Sequence, residues 1–233
     1  MRFDKPLTPG RLIKRYKRFL ADVLLDSGEV ITAHVANSGS MMGLCEPGLR
    51  VWLSRSDDPK RKLAWSWELV ETAEGALVGI NTSHPNAIVA DAIRAGHVPA
   101  LAGYDSLRRE VKYGRNSRID ILLEAADRAP CYVEVKNCTL ARQAGLAEFP
   151  DAVTSRGAKH LQELSDMVAA GHRAVMAYLV QRNDCDRFEI AADIDPVYAA
   201  SFAEATTAGV EVLVLRCALS LETVEISHLI PLA

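Results

Sequence analysis

The first eighty residues alternate short apolar runs with polar turns, a pattern typical of β-strands. Asp, Asn, Pro and Gly residues, which favour turns, separate the runs. The predicted strands lie within residues 11–25, 30–35, 51–54, 63–70 and 76–80. Short strands at this spacing indicate a small barrel or sandwich, and we favour an OB-like β-barrel over residues 1–82.

From residue 84 onward, helical periodicity alternates with strand-like apolar runs. Pro85 and Gly96 bracket the first helix, and Leu161, Leu164 and Val168 form the apolar stripe of the second. The predicted helices are 85–95, 153–170 and 197–208, and the predicted strands are 118–124, 131–137, 174–180 and 212–217. Strands that alternate with helices predict a mixed-sheet α/β domain over residues 83–233.

Two of these runs are predicted to form a hairpin with its turn centred on Asp127. Residues whose numbers sum to 254 then face each other. One face pairs Ile119 with Val135, Ile121 with Val133, and Leu123 with Cys131. The other face pairs Arg118 with Lys136, Asp120 with Glu134, and Leu122 with Tyr132. A slip of one residue would mix the two faces, so the pattern favours this register.

The register places two carboxylates side by side, those of Asp120 and Glu134. Like charges about 5 Å apart repel by about 3 kcal/mol at an effective dielectric constant near 20. Lys136 relieves part of this repulsion, and Mg²⁺ or Mn²⁺ held between the carboxylates relieves more, since such ions prefer oxygen ligands. Glu110 is either a further metal ligand or a counter-charge to Arg109. The alternative for Glu134 and Lys136 is an ordinary ion pair on an exposed strand.

Net charge is −3, yet basic residues are concentrated in a few stretches. The first stretch contains Arg11, Lys14, Arg15, Lys17 and Arg18. The second contains Arg108, Arg109, Lys112, Arg115 and Arg118, and the helix after residue 153 adds Arg156, Lys159 and His160. Such patches are either solvated faces or contacts to the DNA phosphate backbone, and their number favours DNA. No helix-turn-helix pattern stands out, which argues against sequence-specific operator recognition.

The sequence constrains the cellular location and the oligomeric state less directly than it constrains the fold. No apolar run approaches the roughly 20 residues that span a bilayer, and the first residues lack a secretion signal. Five scattered cysteines without a C-x-x-C pair argue against a zinc ribbon and fit a reducing compartment. We therefore expect a cytoplasmic protein with no membrane partner. The oligomeric state stays open, a homodimer included.

Two features of the barrel have alternative interpretations. His34, Asn37 and Ser38 surround a glycine turn, and this barrel loop either binds a ligand or is a structural turn. Trp52, Trp65 and Trp67 either stack on bases or belong to the core.

Several segments together resemble a known family. Asp120 followed by Glu134-Val135-Lys136 resembles the core of the PD-(D/E)xK nuclease superfamily. The whole chain resembles the sugar fermentation stimulation protein A family. The segments that carry this resemblance are Asn37-Ser38-Gly39-Ser40-Met41-Met42-Gly43, Lys60-Arg61-Lys62-Leu63, Glu110-Val111-Lys112-Tyr113-Gly114, Ser117-Arg118-Ile119-Asp120, Tyr132-Val133-Glu134-Val135-Lys136, Phe149-Pro150-Asp151-Ala152-Val153-Thr154 and Arg156-Gly157-Ala158-Lys159-His160-Leu161. The resemblance implies an OB-like domain, a nuclease-like α/β domain, non-specific DNA binding and a role in regulating sugar metabolism, maltose in particular.

Three functions remain open at this point. The first is a Mg²⁺-dependent deoxyribonuclease in which Asp120 and Glu134 hold the metal and Lys136 orients water or stabilises developing charge. The second is a DNA-binding regulator without turnover, in which Lys136 permanently replaces the metal. The third is a barrel that binds a small sugar or nucleotide. In the first two, the helix that begins near Thr154 offers its N-terminus to a phosphate.

Overall fold

The structure, a computed structural model, describes residues 1–114 and 117–233. The N-terminal part is a closed β-barrel. Its strands are β1 (Thr8–Tyr16), β2 (Leu20–Leu25), β3 (Val30–His34), β4 (Arg50–Arg55), β5 (Trp65–Glu71) and the short β6 (Leu77–Gly79). They pair in the order β3-β2-β1-β4-β5-β6, and a parallel contact between β3 and β5 closes the barrel. Alternate residues such as Leu12, Val23 and Trp67 fill its core, which confirms the predicted barrel.

The remainder of the chain is a mixed α/β arrangement. Its elements are α1 (Pro85–Arg94), a 3₁₀ turn (Pro99–Leu101), β7 (Ser106–Tyr113), β8 (Ser117–Ala125), β9 (Arg128–Cys138), β10 (Leu140–Gln143), β11 (Gly145–Phe149), α2 (Ser155–Ala169), β12 (Arg173–Val180), β13 (Cys185–Ile190), α3 (Pro196–Thr207), β14 (Glu211–Leu219) and β15 (Val224–Leu229). The main sheet has the order β15-β14-β12-β9-β8-β7, with β9, β12 and β14 parallel. Strands β10, β11 and β13 form a second, smaller sheet.

Helices cover both faces of the main sheet. On one face α1 contributes Ile88 and Val89 to a core that includes Val133 and Val175. On the other face α2 and α3 pack together over a second core that contains Tyr178. Among the described residues, no helix is both long and apolar enough to cross a bilayer.

The three predicted helices are confirmed to within two residues at each end. Several strands were missed, and β7 shows why. It lies at the edge of the main sheet and most of its side chains are exposed, and Arg109 interrupts the alternation of Leu107, Val111 and Tyr113. The N-terminal run that we treated as one strand region is two strands, β1 and β2, joined at residues 17–19.

The predicted hairpin register is confirmed for the pairs Ile121–Val133, Leu122–Tyr132 and Leu123–Cys131. The prediction that Ile119 shares a face with Val135 is wrong. Ile119 belongs to the core beneath α2 and α3, whereas Val135 belongs to the core beneath α1. Backbone pairing of β8 with β9 extends only to Ile121, so the predicted pairing of Asp120 with Glu134 and of Arg118 with Lys136 is also wrong. Beyond Ile121 the carboxylate of Asp120, rather than a backbone carbonyl, accepts the N–H of Val135.

Candidate metal and nucleic-acid site

A cavity of about 490 Å³ lies between the barrel and the α/β part. Residues 37–39 of the barrel loop line one side of it. On the other side it is lined by Asp120, Glu134 and Lys136, and by Thr154 at the start of α2. The three side chains predicted to form the acidic site therefore share one cavity.

Asp120 is fixed by two hydrogen bonds. Its Oδ1 accepts the Nδ2–H of Asn86 at 2.7 Å, and its Oδ2 accepts the Val135 N–H at 2.8 Å. Burial, and next the negative charge of Glu134, raise the pKa of Asp120 to about 6 despite these hydrogen bonds. A proton or a cation near Asp120 would relieve this unfavourable charge.

Glu134 is only 3% exposed, and its two oxygens differ. Oε1 accepts a hydrogen bond from Lys136 Nζ at 2.7 Å and contacts His160 Nδ1. Burial raises the pKa of Glu134, but hydrogen bonds and charge from His160 and Lys136 outweigh burial, so the pKa is lowered overall. Oε2 is buried and finds no hydrogen-bond partner among the described residues. An ionised carboxylate with one unpaired oxygen is suited to hold a cation.

His160 was grouped with a basic patch that is either a solvated face or a DNA contact, but its side chain is buried rather than on the surface. It is 5% exposed, and its Nδ1 lies 3.0 Å from Lys136 Nζ. His160 precedes the buried Leu164 by one helical turn, so both point towards the sheet. Arg156, one turn earlier, donates from Nε to His160 Nε2 at 3.3 Å, and its side chain lines the cavity.

The donor set fits a hard divalent cation. Asp120 and Glu134 supply carboxylate oxygens, and Mg²⁺ is commonly held by one or two carboxylates together with water. Among the described residues, however, no group of three or more His, Cys, Asp or Glu side chains forms a metal cluster. Glu110, the predicted third ligand, is exposed, and its Oε1 accepts a 3.3 Å hydrogen bond from Asn86. It is therefore connected to Asp120 through Asn86.

A second group of polar atoms lies near the carboxylates. The hydroxyl of Tyr113 and the Oε2 of Glu163 are buried and unpaired within the described part of the chain. Burial, followed by the charges of Glu134, Glu163 and Asp120, raises the pKa of Tyr113. Our sequence reasoning missed both residues, because neither lies opposite a charged residue in the predicted hairpin.

The predicted DNA contacts occupy different environments. Arg11, Lys17, Arg18, Arg109, Lys112, Arg118 and Arg156 are exposed. Lys14 pairs with Asp22, Arg108 pairs with Glu124, and Lys159 pairs with Glu163. Arg15 is half-buried and turns towards the barrel loop, and Arg115 lies outside the described residues.

The barrel loop is a structural turn that also lines the cavity. Asn37 donates from Nδ2 to the Ile80 carbonyl and accepts the Gly39 N–H with Oδ1, so both ends of its carboxamide are hydrogen-bonded inside the fold. Ser38 lines the cavity, whereas His34 pairs with Leu20 in the sheet.

Asp151 connects this loop to the α/β part. Its backbone carbonyl accepts the Ser40 hydroxyl at 2.9 Å, and its Oδ2 accepts the Met41 N–H at 3.3 Å. Sequence reasoning did not single out either this contact or that of Asn86 with Asp120.

The tryptophans give little support to base stacking. Trp67 is fully buried in the barrel core. The guanidinium groups of Arg50 and Arg55 lie 5.3 Å from the ring centroids of Trp52 and Trp65, respectively. An arginine of this chain therefore already lies against each of the two less buried rings.

Comparisons with known proteins agree with this architecture. A model described as the SfsA N-terminal OB domain matches residues 13–80, and the sugar fermentation stimulation protein RE domain matches residues 83–223. The sugar fermentation stimulation protein homolog of Rhodospirillum centenum is 65% identical over the full length of both chains. That of Paramagnetospirillum magneticum is 62% identical over 97% of this chain and 95% of its own.

A solved structure shares the whole fold. It is Pyrococcus furiosus SfsA in complex with Ca²⁺, which aligns with a TM-score of 0.89 at 26% identity and covers 100% of this chain and 98% of its own. Family models that together cover most of the chain, and relatives that match it from end to end, lead to one conclusion. The chain belongs to the sugar fermentation stimulation protein family.

Proposed function

We propose that this protein binds DNA through the phosphate backbone and hydrolyses phosphodiester bonds at a Mg²⁺- or Mn²⁺-dependent site in the cavity. The observation that carries the proposal is the buried Glu134 Oε2, which no described group satisfies, beside the carboxylate of Asp120. The Ca²⁺ complex of the Pyrococcus furiosus relative supports a divalent cation in this fold. Regulation of sugar metabolism would then be a consequence of DNA binding.

Each residue has a distinct role in this proposal. Asp120 and Glu134 would hold the cation, and Asn86 and the Val135 N–H orient Asp120. A bound Mg²⁺ would polarise a phosphate oxygen and lower the pKa of a bound water. Lys136, whose Nζ is 2.7 Å from Glu134 Oε1, would orient an attacking water or stabilise negative charge on the phosphate.

The start of α2 provides a place for the phosphate. Thr154 caps the helix by accepting the Gly157 N–H at 3.1 Å, and both residues line the cavity. The positive end of the helix dipole and the exposed Arg156 therefore face the same space as the carboxylates. A phosphate held there lies on the side of the cavity that favours negative charge.

A second candidate is DNA binding without turnover. The direct contact of Lys136 Nζ with Glu134 Oε1 favours it, because an ammonium group already neutralises one carboxylate. In that case Lys136 replaces the metal permanently, and the fold is retained for binding alone.

One experiment separates the two candidates. Purified protein is incubated with plasmid and with single-stranded DNA in Mg²⁺, Mn²⁺ or EDTA, beside the variants Glu134→Gln, Asp120→Asn and Glu225→Gln. A nuclease is expected to lose metal-dependent cleavage in the first two variants and to keep its DNA affinity within about twofold. Glu225 lies exposed on β15 outside the cavity lining, so its variant serves as the control and keeps full activity.

The other results are equally decisive. Equal residual nicking by wild type and Glu134→Gln would assign the activity to a contaminant and reject the enzyme. DNA binding without any cleavage would establish the second candidate.

A further inference from the structure

The turn between β1 and β2 is built from unusual residues. Lys17 and Arg18 have φ of 49° and 62°, a region that side chains other than glycine rarely adopt. Phe19 follows them and is 48% exposed. It joins none of the three apolar cores formed by the described residues. Two long cations and one aromatic ring are therefore exposed at consecutive positions, at a turn where Asn and Gly would be less strained.

Arg15 connects this turn to the cavity. Its Nε donates to the Arg18 carbonyl at 3.1 Å, and its Nη2 donates to the carbonyls of Asn37 and Gly39 at 2.8 and 3.1 Å. Asn37 and Gly39 both line the cavity that holds the carboxylates. A single guanidinium group thus braces the turn against the cavity wall.

We propose that Phe19 stacks on an unpaired base of single-stranded DNA whose phosphates are held by Lys17 and Arg18, and that the strand continues into the cavity. This inference rests on the proposed DNA binding and names the form of DNA that the site takes. An aromatic ring stacks on the face of a base without distorting a duplex where that base is unpaired and unstacked. The positive charges at the turn complement the strand's backbone, and no acidic residue lies between Lys14 and Ala21.

Phe19 is also better placed for this role than any of the three tryptophans of the barrel. Trp67 is buried, and Trp52 and Trp65 lie against Arg50 and Arg55. The exposed ring of Phe19, in contrast, is next to two cations and is linked through Arg15 to the cavity wall.

The test measures DNA affinity without cleavage. Fluorescence anisotropy of a labelled single strand of about 12 nucleotides, within the site size of an OB barrel, is compared with that of a duplex of the same length. The protein is the Glu134→Gln variant in EDTA, so that turnover does not contribute. Phe19→Ala is expected to weaken single-strand binding by about 5- to 150-fold, the effect of losing one base–aromatic stack. Duplex binding is expected to change by less than about twofold, and Phe19→Trp to retain single-strand affinity.

Val30→Ala is the matched control. Val30 is also exposed and apolar, but it lies at the opposite end of the β2–β3 hairpin from Phe19. Its replacement should leave both affinities unchanged. Equal weakening of single-strand and duplex binding by Phe19→Ala, or no weakening at all, would overturn the inference. Failure of the parent protein to bind either DNA would instead reject the proposed DNA-binding function itself.

Discussion

Asp120 and Glu134 lie in the same cavity, yet their pKa values move in opposite directions. Glu134 receives hydrogen bonds from Lys136 and His160, which keep it ionised although it is buried. The hydrogen bonds to Asp120 do not offset its burial and the negative charge of Glu134, so its pKa rises to about 6. Asp120 is therefore the carboxylate that takes up a proton when no cation is present.

This asymmetry predicts a pH dependence of stability in metal-free protein. An unfolded chain has an Asp pKa of about 3.9, and in the folded chain the pKa of Asp120 is about 6. Between these values the folded state binds more protons, so the free energy of unfolding falls as pH rises. We expect Asp120 to contribute a fall of about 2 kcal/mol between pH 4 and 7, and Asp120→Asn to remove it. Urea unfolding in EDTA at both pH values measures the difference.

Asp127→Asn is the control for this experiment. The pKa of Asp127 is lowered by a hydrogen bond from Arg128, so its contribution to the slope has the opposite sign. Parallel pH profiles for wild type and Asp120→Asn would show that Asp120 has an ordinary pKa in the folded protein.

At the scale of elements, the β8–β9 hairpin and the start of α2 together build the site. β9 carries Glu134 and Lys136 on the face that α2 covers, and α2 brings His160 against both. Gly157 permits α2 to pack closely against α3, because a Cβ there would lie 2.9 Å from the ring of Tyr198. Position 157 therefore requires a glycine where the two helices meet.

At the β1–β2 turn, the residues proposed to bind DNA are expected to lower the free energy of unfolding. A non-glycine residue in the left-handed region costs about 1–2 kcal/mol, so Arg18→Gly should raise the free energy of unfolding by about 1 kcal/mol. Gly28 has φ of +88° in the next turn and no atom within 4 Å of a built Cβ. Gly28→Ala should therefore lower the free energy of unfolding by about 1 kcal/mol through backbone strain alone. Urea unfolding measures both variants, and a stability loss in Arg18→Gly would show that the turn is not strained.

At the scale of the whole molecule, an acidic protein places several basic residues beside a cavity that also holds carboxylates. Net charge is −3, but Arg156 lines the cavity, and Lys17 and Arg18 stand on a turn braced against its wall. Ser40 and Met41 contact Asp151 across the cavity rim, so the barrel and the α/β part meet where these charges lie. A nucleic acid bound there would contact both parts of the chain.

DNA affinity should therefore fall steeply with salt. Each phosphate contact contributes a slope of about −0.7 to the plot of log affinity against log salt for single strands. We expect a total slope of about −2 or steeper, and Lys17→Gln should make it less steep by about 0.7. Arg94→Gln is the control, since Arg94 lies at the end of α1, about 12 Å along the helix from the cavity-lining Asn86. Anisotropy titrations at several salt concentrations measure the slopes, and a flat dependence would contradict backbone binding.

Much of this protein follows from the sequence by itself. Apolar periodicity predicts the three helices and the central strands, because burial of one face sets which residues are apolar. The alternation on either side of Asp127 was enough to predict how Ile121, Leu122 and Leu123 pair, and it directed attention to Asp120, Glu134 and Lys136. Local patterns of this kind depend only on neighbours along the chain or across one turn.

Only the tertiary structure decided the rest. Asn86 meets Asp120 across 34 residues, and Ser40 meets Asp151 across 111, so no local pattern marks either contact. The burial of His160 and the exposure of Phe19 likewise depend on which elements pack nearby. Periodicity determines which face of an element is buried, but the element that covers that face is chosen by packing of the whole chain.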